Sequence, residues 1–141
     1  MAFATGIVVA ILTGLLGRLA RFDRDRAFYP TVAIVVAHYY VLFAAMAGST
    51  STVIVESIAM VGFASVAIVG FRSSLWLVAA ALAGHGAFDL VHHRIISNPG
   101  VPEWWPAFCL TFDVLLAGFF AWILHTGRLP ARETELGPRV G

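Results

Sequence analysis

The stretch His85-Gly86-Ala87-Phe88-Asp89-Leu90-Val91-His92-His93 puts three of the five histidines and a carboxylate inside a segment, residues 75 to 97, that otherwise reads as a membrane span. Ionisable groups at that depth are costly and usually mark function. On a helix turning about 100° per residue, His85, Asp89 and His92 fall within roughly 60° of one another, with His93 on the flank. One face of one span therefore carries the chemistry.

Outward from this segment, the chain is 141 residues long, 60% hydrophobic and only 12% charged, with a mean hydropathy of +0.86. A soluble core of this size cannot hide so much apolar surface. Five runs are long enough to cross about 30 Å of hydrocarbon: roughly residues 3 to 20, 31 to 48, 52 to 70, 75 to 97 and 107 to 125. This predicts an all-α, polytopic membrane helix bundle with five transmembrane helices in one domain, residues 1–125, multi-pass in the cell membrane. Ser49, Thr50 and Ser51 alone join the second and third spans, which predicts a tight antiparallel hairpin. The polar tail, residues 126–141, reads as cytoplasmic and disordered.

All nine basic residues are arginine. With the N-terminus outside, the cytoplasmic side receives Arg18, Arg21, Arg24, Arg26, Arg72, Arg128, Arg132 and Arg139, and the outside only Arg94. Eight against one favours the N-terminus outside and the C-terminus inside, because cytoplasmic loops are enriched in positive charge. The first segment opens Met1-Ala2-Phe3-Ala4-Thr5-Gly6, without the positive start of a cleaved signal peptide, so it reads as a retained span. Arg21-Phe22-Asp23-Arg24-Asp25-Arg26 alternates in sign and reads as a solvated loop. A formal net charge of +1 gives no support for nucleic-acid binding. The single cysteine, Cys109, excludes an internal disulfide and any CxxC motif.

Gly6, Ala10 and Gly14 form a small-residue stripe on the first span, suited to intramolecular packing or to a seam in a homo-oligomer. Pro30 and Pro106 sit where a first helical turn tolerates a missing N–H, and Asn98-Pro99-Gly100 ends the fourth helix. Between the last two spans, three prolines stiffen a short outer loop carrying Trp104 and Trp105. The tryptophans read as headgroup-level anchors, or as a lid over the polar site beneath.

Depth follows from a rise of about 1.5 Å per residue. His85 falls near the midplane, with Asp89 and His92 nearer the outer end. Glu56 lies one turn into the third helix and Asp113 nearly two turns into the last, both from the outside. His38, in mid-span beside Tyr39 and Tyr40, can meet His85 across the bundle, and Cys109 precedes Asp113 by one turn on the same face. Each acid costs about 2.5 to 3.5 kcal/mol at a span's centre. Protonation, pairing with histidine or a bound metal can compensate. A network that only fixes helix packing gains about 0.6 kcal/mol per interhelical hydrogen bond, too little to explain so much polarity.

His85 and His92 are separated by about 10 Å of rise, too far to share one ion on a straight helix, whereas Asp89 reaches either. The metal-ligand candidates are accordingly Glu56, Asp89, His92, His93 and Asp113, with His38 and Cys109 as possible additions. His85 and Asp89 are the candidate catalytic groups. Imidazole with carboxylate suits zinc, iron, copper or manganese. Asp89-x-x-His92 shares the carboxylate-x-x-His element of di-iron bundles, but neither Glu56 nor Asp113 has a histidine three residues on. A haem held by His38 and His85 is a further option, and it leaves the acids unexplained.

Asp89-Leu90-Val91-His92-His93 looks like a histidine box of membrane desaturases and hydroxylases with its first histidine replaced by aspartate, although those enzymes use more histidines than the five here. Over residues 80 to 121, the pattern His85-x-x-x-Asp89-x-x-His92-His93, Asn98-Pro99-x-x-Pro102, Cys109 and Asp113 resembles a family of small bacterial integral membrane proteins defined by a domain of unknown function. The resemblance marks Asp89, His92, His93, Cys109 and Asp113 as site positions and implies no reaction.

The leading expectation is a metal-dependent membrane enzyme, a hydrolase or oxidoreductase, acting on a lipid-soluble substrate among the membrane lipids. A divalent ion would lower the pKa of bound water to about 7. The second is a proton or metal-ion transporter, which needs polar groups through the full thickness. The inner half offers little beyond Ser65, Arg18 and His125. The third is a haem-binding or structural subunit of a membrane complex.

Overall fold

The computed structural model describes residues 1–22 and 26–128. Asp23, Arg24 and Asp25 of the charged loop, and all of the polar tail from residue 129 onward, lie outside the described residues. The elements are α1 (Ala2–Leu19), α2 (Phe28–Met46), α3 (Thr50–Arg72), α4 (Leu75–Asp89), α5 (His92–Ile95) and α6 (Trp105–His125). Among the described residues there is no strand.

Local chemistry sets the boundaries. Gly48 takes a left-handed φ of 71° and its N–H reaches the Ala45 carbonyl at 3.0 Å, a glycine stop for α2. Ser49 is extended, and its hydroxyl accepts from the Thr52 N–H at the start of α3. Ala47, Gly48 and Ser49 thus make the predicted hairpin between α2 and α3, two residues earlier than the Ser49–Ser51 link read from sequence, because Thr50 and Ser51 already belong to α3. Ser73 and Ser74 turn the chain into α4, where a Cβ on Gly70 would stand 2.8 Å from Val78. Only glycine lets that turn close so tightly.

The helices run alternately up and down. α6 packs against both α1 and α4, and α3 packs against α2 and α4. The stripe of Gly6, Ala10 and Gly14 is buried and is used within the chain: a Cβ on Gly6 would fall on the Thr111 hydroxyl, and one on Gly14 would come 2.8 Å from the Phe119 ring. The half of the bundle where α4 begins and α6 ends is filled by Val78, Leu82, Leu116, Phe120 and Ile123, with Tyr29 stacked on Phe120 at 3.9 Å.

Four helices, α1, α2, α3 and α6, are long and apolar enough to cross a membrane. The distribution of side chains agrees. Leu12 (59%) and Ile58 (69%) are exposed while Asp113 (0%) and Glu56 (1%) are buried, the inverse of the order that water imposes. The chain is a helical bundle of membrane-protein type.

One segment departs from expectation. The run over residues 75 to 97 is not one continuous helix: α4 has 15 residues, about 22 Å against the roughly 30 Å of a hydrocarbon core. After Asp89 the N–H groups of Leu90 and Val91 bond three residues back, to Ala87 and Phe88, and Val91 sits at φ −114° and ψ −8°. The turn tightens and α4 stops. Hydropathy and periodicity cannot register such a break, because its compensation comes from side chains on other helices. Non-helical backbone at this depth is tolerated where it lines a cavity, and Leu90, Ser97, Asn98, Pro99, Val101 and Pro102 of this segment do so.

Candidate functional site

The site gathers at the end of the bundle where α1, α3 and α6 begin. Glu56 lies about 9 Å along α3, Asp113 about 12 Å along α6, and Tyr40 about 9 Å before the end of α2. Asp89 closes α4 and His92 opens α5. Glu56, His85, Asp89, His92 and Asp113 are the buried charged or imidazole side chains among the described residues. Gly86 makes their meeting possible: a Cβ there would lie 3.2 Å from the Asp113 Cβ and 3.1 Å from Val114. The absence of a side chain brings α4 onto α6 at the level of His85 and Asp113.

Two subclusters result. In the first, His85 Nδ1 stands 2.7 Å from Asp113 Oδ2 and 3.8 Å from Asp89 Oδ2, and the Tyr40 hydroxyl donates to Asp89 Oδ1 at 2.5 Å. In the second, His92 Nε2 is 2.9 Å from Glu56 Oε1, and the Asn98 side-chain amide donates to that same oxygen at 2.8 Å and to the Tyr40 carbonyl at 3.0 Å. Tyr40 joins them, its ring stacked on His92 at 3.9 Å. Phe63 meets His85 edge-on at 4.9 Å and Phe88 meets His92 at 5.4 Å. The polar groups are thus walled by aromatic rings.

Hydrogen bonding leaves a remainder. Asp89 Oδ2 and Asp113 Oδ1 are buried without a hydrogen-bond partner, an arrangement expensive in an apolar interior. The donor atoms of His85, Asp89 and Asp113 lie within 4.8 Å of one another. One imidazole and two carboxylates so placed can hold a divalent ion at roughly 2.0–2.2 Å while leaving a coordination position open. The second donor oxygen of Asp89 is meanwhile fixed by Tyr40, as an outer-shell partner fixes a ligand.

The ligand set differs in part from the one read from sequence. Asp89 and Asp113 are in it, and His85, read as a catalytic group, joins them. Glu56 and His92 pair with each other instead, because the break after Asp89 turns His92 away from the face it would share with His85. His93 is exposed and stands apart from the buried cluster. His38 is exposed too, its Nδ1 3.3 Å from the Ile34 carbonyl one turn back, so it does not face His85 and a bis-histidine haem between them has no geometric basis. Cys109 is buried but lies outside the group of converging donors.

A cavity of about 590 Å³ adjoins the cluster, with Asp89, His92 and Asn98 in its wall. The expected lid residues do not line it. Trp105 packs on Tyr39 and Phe43 at 5.0 and 4.8 Å, and Trp104 is 53% exposed. Pro99, Pro102 and Pro106 form that side of the cavity instead.

Sequence reasoning missed Tyr40 and Asn98 as site residues. Tyr40 had a signal, since it lies at Glu56's distance from the same end of the α2–α3 hairpin. Asn98 read only as a helix terminator. No family model, no curated protein and no solved structure matches the chain, so the site rests on its own geometry.

Proposed function

We propose that this chain is a multi-pass membrane protein with five crossing segments, its N-terminus outside and C-terminus inside, and a metal-dependent active site in the outer half of the bilayer. The observation that carries the reading is the pair of buried, unpartnered oxygens, Asp89 Oδ2 and Asp113 Oδ1, on two carboxylates that converge with His85. An ion accounts for both at once and supplies Lewis acidity. Zinc, iron, copper and manganese all fit the donor types.

In this reading α4 and the irregular segment after it make the fourth crossing together. Of the described arginines, Arg18, Arg21, Arg26, Arg72 and Arg128 lie at the end of the bundle away from the site and Arg94 at the site's end, which supports the orientation. His85, Asp89 and Asp113 act as ligands. Tyr40 holds Asp89 in place. The general-base role then falls to His92, oriented by Glu56, the nearest acid–base pair outside the ligand set. The substrate is lipid-soluble and the reaction a hydrolysis or an oxidation. The resemblance to a family of small bacterial membrane proteins supports the positions without adding a reaction.

Ion or proton transport is less well supported. A pathway needs polar groups in the opposite half, where Leu82, Leu116, Phe120 and Ile123 are each 0% exposed.

Elemental analysis of detergent-purified protein tests the proposal. Wild type should carry stoichiometric metal, and Asp89→Ala and Asp113→Ala should lose it, with an absorbance scan excluding haem. A well-folded wild type without metal would overturn the reading.

A further inference from the structure

Resting on the metal-enzyme reading and deepening it, we infer that the cavity beside Asp89 and His92 takes an amphiphile with an apolar body and an uncharged polar end, and rejects anionic lipids of the same shape. Its volume, about 590 Å³, lies within the range of small-molecule sites, roughly 300–1,000 Å³. Its rim is mixed. Phe3 and Leu90 line it and are 55% and 57% exposed, giving a lip that suits lipid. His93, Ser97 and Glu103, also exposed, add polar groups to the rim. A molecule bridging both is amphiphilic by construction.

Charge decides the headgroup. Asp89 and Glu103 line the cavity, and among the described residues no arginine does; the chain has no lysine at all. A divalent ion among His85, Asp89 and Asp113 would balance the two aspartates and leave Glu103 in the wall. No side chain there offers the bidentate cation that phosphate or carboxylate recognition uses. The wall instead provides the His92 ring, with Ser97 at the lip, groups that hydrogen-bond a hydroxyl, ester or carbonyl. An anion placed beside Glu103 meets a like charge, which is specificity by exclusion.

The test uses phosphatidylcholine nanodiscs containing the full chain and a photoactivatable diacylglycerol or a phosphatidic acid with the same photoactivatable chains. Crosslinks are mapped by mass spectrometry, and metal is measured on the same samples. Diacylglycerol should label residues 90–110 about tenfold more than phosphatidic acid. Unlabelled diacylglycerol should compete the label away, and Ala107→Trp, which fills the cavity, should abolish it while metal content stays unchanged. Equal labelling by the two lipids, or labelling that neither competition nor Ala107→Trp reduces, overturns the inference. Full metal with unselective labelling sinks the substrate class alone, whereas selective labelling of metal-free protein sinks the metal reading and keeps the cavity's ligand.

Discussion

The hydroxyl of Tyr40 is bonded to Asp89 across 49 positions of sequence. Because the same ring stacks on His92, one side chain of α2 ties both halves of the polar cluster. Tyr40→Phe keeps the stack and removes the donor, so Asp89 loses the group that orients it. Metal affinity should fall about 10- to 100-fold, the usual cost of losing an outer-shell partner. Competitive metal titration measures it, and unchanged affinity would remove Tyr40 from the site.

The exposed histidines provide the contrast. His38→Ala and His93→Ala should leave metal stoichiometry at the wild-type value, since neither side chain is buried with the donors. Loss of metal in His93→Ala would restore the ligand set expected from sequence and require α5 to turn inward.

Asn98→Ala removes the two bonds that pin the irregular segment to Glu56 and to the Tyr40 carbonyl. A buried carboxylate then loses a donor, at a cost of roughly 1–3 kcal/mol. Thermal unfolding in detergent should begin earlier, and residues 96–104 should become more open to proteolysis.

Glycine substitutions separate close contact from helix propensity. Gly62 and Gly118 have open space where a Cβ would go, so Gly62→Ala and Gly118→Ala should be neutral or stabilising by up to about 1 kcal/mol. Gly86→Ala should destabilise by roughly 1–3 kcal/mol, because α6 stands in the way. It should also loosen the His85–Asp113 contact, so metal content should fall with stability. Equal melting temperatures for all three variants would contradict the packing at Gly86.

Topology can be read with cysteines placed in a Cys109→Ala background. In intact cells a membrane-impermeant maleimide should label Ser49→Cys, at the α2–α3 turn. Ser73→Cys, at the α3–α4 turn, should label only after permeabilisation. The reverse pattern would invert the proposed orientation.

Much of the fold was legible because a membrane span announces itself by length and apolarity. The boundaries near Gly48, Ser49 and Pro106 followed from backbone chemistry that acts locally. Glu56, Asp89 and Asp113 stood out because acids are rare in such helices. What the sequence did not carry was direction after a break: once α4 stops at Asp89, helical spacing no longer says where His92 points, and Glu56 decides it from another helix. Tyr40 stayed hidden for a related reason. A tyrosine in a span reads as ordinary interface or core material until a partner 49 positions away gives its hydroxyl a purpose.

Asp113 stands on α6, 28 positions after the histidine it faces. During synthesis His85 and Asp89 therefore reach the bilayer before Asp113 exists, with Tyr40 of α2 already there to partner Asp89 but no acid on α6 to take the His85 ring, so the insertion cost, on the order of several kcal/mol, is only partly offset. The polar cluster is thus complete only when the last helix has joined the bundle.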